Sequence, residues 1–154
     1  MRAILAWRLC SENYAEGAFT GEGSFRYGRR WNPRGTRVAY CSESRSLAAL
    51  EVLANVEETT LLKDTRWFMI SVAIPSECIE RPDKFPENWR AFPHPPSTQS
   101  FGARWIADGR HGALRVPSTI VAGEFNYLLN PAHPDFQRMT RGTPESFRFD
   151  ARIV

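Results

Sequence analysis

Apolar and polar residues alternate with a period of two along several short stretches of this chain and recur at helical spacing along two others. Residues 5–9 read as a short strand carrying Arg8. Residues 37–42 read as a second strand, with Val38 and Tyr40 on one face and Ala39 and Cys41 on the other. A third covers residues 66–74, where Phe68, Ile70, Val72 and Ile74 share a face and Pro75 ends the pattern. Two more are expected at residues 112–116 and 123–129, flanking Pro117-Ser118. Near the end, Phe147, Phe149, Ala151 and Ile153 alternate with Arg148, Asp150 and Arg152, the pattern of a terminal half-exposed strand. Helices are predicted over residues 47–56, with Ser42 and Ser44 as candidate N-caps, and over 98–108, capped by Ser97 and closed by Gly109. Gly17, Gly21, Gly23 and Gly28 mark a long loop expected to touch a ligand. The prolines of residues 75–96 predict an irregular flap. These elements define an α+β protein: one compact domain over residues 1–154, with a mixed or antiparallel sheet and a few helices.

The helix at 47–56 carries the most chemical information. Only Glu51 and Asn55 are polar within it, so the segment is expected to be largely buried. A carboxylate in such a place must find hydrogen-bond partners or hold its proton more tightly, and both conditions are commoner at functional sites than elsewhere.

Composition narrows the picture without changing it. The chain has 154 residues, enough for one substantial core. It is 42% hydrophobic and 24% charged, which excludes a disordered or fibrous protein. No apolar run approaches the roughly 20 residues of a membrane helix. The N-terminus opens like a secretory signal, but Arg8 interrupts it, so a cytoplasmic location is expected. Cys10, Cys41 and Cys78 are widely spaced and read as reduced, buried thiols; His94, His111 and His133 lack ligand spacing, so no metal and no bound cofactor are expected. The net charge of +3 is too small for a protein that coats nucleic acid. Of the 20 basic residues all but Lys63 and Lys84 are arginine, and Arg26, Arg29, Arg30, Arg34 and Arg37 crowd one segment.

That segment, Gly28-Arg29-Arg30-Trp31-Asn32-Pro33-Arg34-Gly35, precedes Tyr40 and then Glu51. Arginine presents a fork of donors matched to phosphate oxygens, tyrosine a flat face for a heteroaromatic ring, and a carboxylate can steady a sugar cation. The combination suits binding and cleavage of a dinucleotide. Gly21-Glu22-Gly23 lacks the third glycine of a Rossmann fingerprint, and no phosphate-loop Gly-Lys-Ser/Thr occurs, so a nucleotide would be held by other means. Taken singly, Arg30 reads as a surface arginine, Trp31 and Tyr40 as core aromatics, and Ser118 and Asn126 as turn caps; Glu51 alone demands an explanation.

As a set, Gly21-x-Gly23, Gly28-x-Arg30-Trp31-Asn32-Pro33-x-Gly35-Thr36, Tyr40, Leu50-Glu51-Val52, Val116-Pro117-Ser118 and Asn126-Tyr127-Leu128-Leu129-Asn130-Pro131-x-His133-Pro134 resemble the landmarks of the RES-domain family, in order and over nearly the whole chain. The Arg, Glu and Ser of the family's name correspond to Arg30, Glu51 and Ser118. Arg29 departs from the pattern, standing where the family usually has a second glycine. The resemblance implies the toxin of a RES-Xre toxin–antitoxin pair, with a fold like that of ADP-ribosyltransferase toxins, NAD+ as substrate and an Xre-like antitoxin as partner, nucleic acid being met only through that antitoxin. Family members either degrade NAD+ or transfer its ADP-ribose to a protein. On this reading Glu51, Arg30 and Tyr40 are catalytic: Glu51 steadies the ribose cation, Arg30 with Arg8 holds phosphate, and Tyr40 bounds the nicotinamide. Gly28, Trp31, Ser118 and Asn126 complete the substrate site. NAD+ hydrolysis or phosphorolysis stands first, protein ADP-ribosylation second, and an RNA-binding surface over residues 26–37 third. Self-association is left open.

Overall fold

In the computed structural model all residues except Met1, Glu57 and Thr59 are described. The chain begins with β1 (Ala3–Ser11), a short 3-10 turn (Glu12–Tyr14) and α1 (Glu22–Tyr27), followed by β2 (Ala39–Ser42) and α2 (Arg45–Asn55). A five-residue α3 (Thr60–Asp64) leads to β3 (Trp67–Pro75), a 3-10 turn at Ser76–Cys78 and the two-residue β4 (Ile79–Glu80). Then come α4 (Pro96–Asp108), β5 (Ala113–Pro117), β6 (Phe125–Leu129), β7 (Thr140–Arg141) and β8 (Glu145–Phe147).

The strands form one eight-stranded sheet in the order β4-β5-β6-β2-β1-β3-β7, with β8 also on β3. β4 and β5 run parallel and every other pair is antiparallel, so the sheet is mixed. β1 and β3 pair along their whole length, from Ala3 opposite Pro75 to Ser11 opposite Trp67. β1 meets β2 only at Trp7 and Ser42, after which the two strands diverge.

Strand alternation divides the apolar residues between the two faces. Ala6, Cys10, Cys41, Ile70, Val72, Ile74 and Leu129 point to one side, where Phe19 and Met139 cover them. On the other side Trp7, Leu9 and Met69 lie under Ala48 of α2, while Leu114, Val116 and Leu128 meet Trp31 and Trp105 of α4. Burial of the larger aliphatic and aromatic side chains among them contributes about 1.5–3 kcal/mol each.

Several expectations are corrected. The glycine-rich stretch contains α1, because Gly21 (φ 73°) and Gly28 (φ 69°) supply left-handed turns at its two ends and the residues between them are free to coil. α2 is capped by Ser44, whose hydroxyl accepts from Leu47 N, and not by Ser42. It is only half-buried: Leu47 and Ala48 are inside, whereas Leu50 is 40% exposed, because the sheet covers just one side of the helix. The flap includes the turn at Ser76–Cys78 and β4. α4 starts at Pro96 after Pro95, while Ser97 Oγ donates to Asn88 Oδ1. The terminal strand stops at Phe147: Phe149 turns inward against Trp67, and Asp150 Oδ1 accepts from Arg152 N to close a turn. Short α3 carries no sequence signal strong enough to have been predicted.

All three cysteines are free and buried. Burial pushes the Cys41 thiol from its ordinary 9.0 up to about 12. The native state therefore holds this proton where the unfolded chain releases it, so stability should fall as pH rises from about 9 towards 12. A Cys41→Ala variant should lose part of that alkaline decline in a pH series of urea melts. At pH 8 the native parent should react with a thiol reagent far more slowly than the unfolded chain.

Candidate active site

Glu51 sits in the middle of α2, half-buried, on the helix that packs over the central strands β1 and β2. Its Oε2 accepts two hydrogen bonds, one from Asn126 Nδ2 at 2.6 Å and one from Ser118 Oγ at 2.9 Å. Both donors are fixed in turn. Asn126 lies opposite Ser42 in the β2–β6 ladder, and Ser42 Oγ donates to Asn126 Oδ1 at 2.7 Å, which directs the amide NH2 at Glu51. Ser118, only 2% exposed, accepts from the backbone N–H groups of Ile120 and Val121 and so has its own proton to give to the carboxylate. Ser118 is thus a turn cap and an acid-binding group at once. Glu51 Oε1 receives no hydrogen bond among the described residues.

The arginine segment forms a tight two-residue turn. Arg29 N donates to Asn32 O at 3.0 Å and Asn32 N returns to Arg29 O at 3.4 Å, leaving Arg30 and Trp31 at the tip. Neighbouring side chains diverge from such a tip. Trp31 turns inward, 3% exposed, edge-on to Phe85 and Phe101, so its indole supports the turn from beneath. Arg30 stays half-buried on the outer side, and its Nη1 donates to the carbonyls of Trp89 at 2.8 Å and Ala91 at 2.7 Å. Burial lowers the pKa of this guanidinium, and the charge of Glu51 opposes that shift, which relates the two groups electrostatically. Arginine is the most basic of the side chains, so Arg30 remains a cation.

Asn32 holds this arrangement. Wholly buried, it donates through Nδ2 to the carbonyls of Ser24, Pro33 and Thr36, while its Oδ1 accepts from the Tyr40 hydroxyl at 2.8 Å. The Tyr40 oxygen also accepts from Trp31 N at 3.1 Å. Burial drives the Tyr40 pKa well above its ordinary value, so the phenol stays protonated and its hydroxyl is committed to the turn. Its ring, half-buried at the margin of the Trp31 cluster, is the part left to border a ligand. Gly28, in the left-handed region, approaches the backbone of Asn32 and Arg34 so closely that a Cβ would sit 3.2 Å from Arg34 N.

Arg8 is placed differently. Strand alternation puts it on the Ala6 and Cys10 side of the sheet, away from Trp7 and α2. It reaches the site through the backbone: Nη1 donates to Tyr40 O at 2.9 Å, beyond the point where β1 and β2 part, and its Nε is buried with no partner. The structure thus gathers Glu51, Ser118 and Asn126 directly, relates Arg30 to Glu51 by charge, and joins Tyr40 to the arginine turn. Two clefts, about 380 Å3 beside Phe19 and Phe136 and about 760 Å3 beside Trp67 and Phe149, are lined by neither Glu51 nor Arg30. Ser42 and Asn32 are the contributors that sequence reasoning passed over. Asn32 stood inside the motif but was given no role of its own.

The Asn126 contact is the more demanding of the two on Glu51. Asn126→Ala strands both Ser42 and one Glu51 lone pair, so a rate loss of roughly 5- to 160-fold in Glu51-dependent chemistry is expected, from about 1–3 kcal/mol of lost positioning. Ser118→Ala also frees two backbone donors and should lower the melting temperature as well as the rate. Thermal melts beside initial rates separate the two effects.

An acid pinned by a serine and an amide, with an arginine turn on the same chain and a mixed sheet flanked by helices, defines a small α+β protein. The chain belongs to the RES domain family, whose model matches residues 5–150. It is 35% identical over 151 residues to a protein of Yersinia enterocolitica named "Toxin Res", covering 97% of this chain and 99% of that one. It is 30% identical over 155 residues to the "Prs ADP-ribosylating toxin" of a Sphingobium species, covering 96% and 95% of the two chains. Among solved structures, the crystal structure of the M. tuberculosis MbcT-MbcA toxin–antitoxin complex contains a chain with this fold, at a TM-score of 0.75 and 15% identity over 95% of this chain and 85% of that one. No helix among the described residues is long and apolar enough to cross a membrane.

Proposed function

We propose that this chain is the toxin of a toxin–antitoxin pair and that it cleaves the nicotinamide–ribose bond of NAD+. The observation that carries the reading is the state of Glu51: one oxygen is held by Ser118 and Asn126, and the other is left for a ligand, with the half-buried Arg30 felt through its charge. Nicotinamide leaves from its cationic, ribose-bound form as a neutral molecule, the electron pair of the broken C1′–N bond passing to the ring nitrogen. Little acid catalysis is needed. The demand falls on the ribose, whose C1′ gains oxocarbenium character, and a fixed carboxylate meets it by stabilising the cation and orienting the 2′-hydroxyl. The acceptor then bonds to C1′ and gives up its proton to Glu51 acting as base. Arg30 supplies the counter-charge for the diphosphate, and the Tyr40 ring bounds the nicotinamide.

Water or phosphate as acceptor makes the chain an NAD+-depleting toxin, the reading placed first because it needs no second recognition surface. The name of the Sphingobium relative favours a second reading, in which the acceptor is a protein side chain. Incubating the purified chain with NAD+ and a cell extract and weighing the products separates them: free ADP-ribose, ADP-ribose phosphate and a modified protein differ in mass. Expression is expected to arrest growth, relieved by the partner antitoxin. Intact NAD+ after prolonged incubation would overturn both readings.

A further inference from the structure

Phe92 is 91% exposed, the most exposed large apolar side chain among the described residues. Leaving a phenylalanine in water forfeits the burial energy that nearly every other ring in this chain collects. A loosely held loop would explain it, but this loop is fixed on both sides. Trp89 and Phe85 pack against the Trp31 cluster. Trp89 N donates to Pro86 O and Ala91 N to Asn88 O, and Asn88 is itself tied to Ser97 at the start of α4. The residue preceding Phe92 has its carbonyl on Arg30 Nη1, at 2.7 Å. An anchored segment therefore presents a bare aromatic ring one residue from the arginine of the site.

The order of groups suggests what that ring meets. Arg30 Nη1 holds the Trp89 and Ala91 carbonyls of the flap, and the guanidinium feels the charge of Glu51. Both Nη1 protons are spent on those carbonyls, so Nη2 and Nε remain for an anion. With the sugar carbon at Glu51 and a diphosphate at Arg30, the next part of a dinucleotide lies towards the flap.

We propose that Phe92 is the stacking platform for the adenine of the substrate, so that the flap makes the site selective for a dinucleotide over a mononucleotide. This rests on the proposed NAD+ reading, and it deepens that reading by assigning the distal base. Base-on-aromatic stacking tolerates an open, solvent-facing site because the base buries its own face on binding.

The test uses ADP-ribose, which carries adenine and diphosphate but has no nicotinamide bond to cleave, titrated calorimetrically into the parent, Phe92→Ala and Phe92→Trp. Phe92→Ala should weaken binding roughly 5- to 30-fold, and Phe92→Trp should keep it within about threefold of the parent. In turnover, KM for NAD+ should rise by the same factor in Phe92→Ala, while KM for nicotinamide mononucleotide and kcat for both substrates stay put. Equal ADP-ribose binding by parent and Phe92→Ala overturns the proposal, as does an equal KM rise for both substrates or a parent that does not bind ADP-ribose. The NAD+-cleavage reading fails separately, when the parent binds ADP-ribose but releases no nicotinamide. Because Phe92 is so exposed, the melting temperature should not change, which excludes misfolding as the source of any loss.

Discussion

Glu51→Gln should leave the fold standing and slow nicotinamide release roughly 10²- to 10³-fold, the usual consequence of deleting one preorganised electrostatic group. Glutamine matches glutamate in shape, and its carbonyl oxygen can still accept from Asn126 and Ser118, so both donors keep a partner. The formal charge is what disappears. An amide NH2 then occupies the free position and presents a positive edge to a carbon that is itself becoming positive. The melting temperature should stay close to the parent's, while kcat falls with little change in KM, because the lost interaction belongs to the transition state. Release of nicotinamide at the parent rate would remove Glu51 from the chemistry and the proposed mechanism with it.

Gly102→Ala sets two effects against each other. On an isolated helix alanine is favoured over glycine by about 1 kcal/mol, so propensity alone predicts a more stable α4. A Cβ at residue 102, however, would lie 1.6 Å from the Trp31 carbonyl oxygen. That obstacle is backbone and cannot swing aside. Either α4 retreats from the arginine turn or the turn is pushed away from α4, and overpacking of this kind costs about 1–3 kcal/mol, more where backbone is involved. Sterics should win. Urea melts should show a net loss of about 2 kcal/mol, and the displaced Arg30 should bind ADP-ribose more weakly. A stabilised variant would mean that helix and turn do not approach this closely.

Both experiments probe contacts that the sequence reveals unequally. Glu51 was conspicuous because a lone acid in an apolar helix creates a need that must be met, and a need of that kind can be read without coordinates. The donors that meet it could not be derived from spacing, since Ser118 and Asn126 lie 67 and 75 residues away along the chain. They were named through the resemblance, and the sheet explains their roles: pairing β2 with β6 sets Asn126 opposite Ser42, and the bend after β5 turns Ser118 back. Gly102 carried no signal at all. A glycine inside a helix costs stability in any sequence, and only the Trp31 carbonyl against its Cα gives it a purpose.

The errors share a cause. Counting apolar residues along α2 predicted burial all round, but how much of a helix is covered depends on what packs against it, and here one face of one sheet does so. Alternation at the C-terminus predicted a strand through residue 153, but pairing with β3 runs out at Phe147 opposite Trp67, and without a partner the period of two has nothing to hold it. Arg8 was grouped with Arg30 by residue type, and strand parity put it on the other side of the sheet.

Local chemistry, then, was the sequence's own contribution: which segments are strands and helices, where glycine must turn the chain, and that one carboxylate needed company. Those properties depend mainly on neighbours within a few residues, whereas how far a strand extends waits for its pairing partner. Partners, faces and distances belonged to the tertiary structure, because strand order, the divergence of β1 from β2 and the seat of α4 on the arginine turn arise from packing between segments far apart in the chain. Only there do an acid, a serine and an amide far apart in the chain come together.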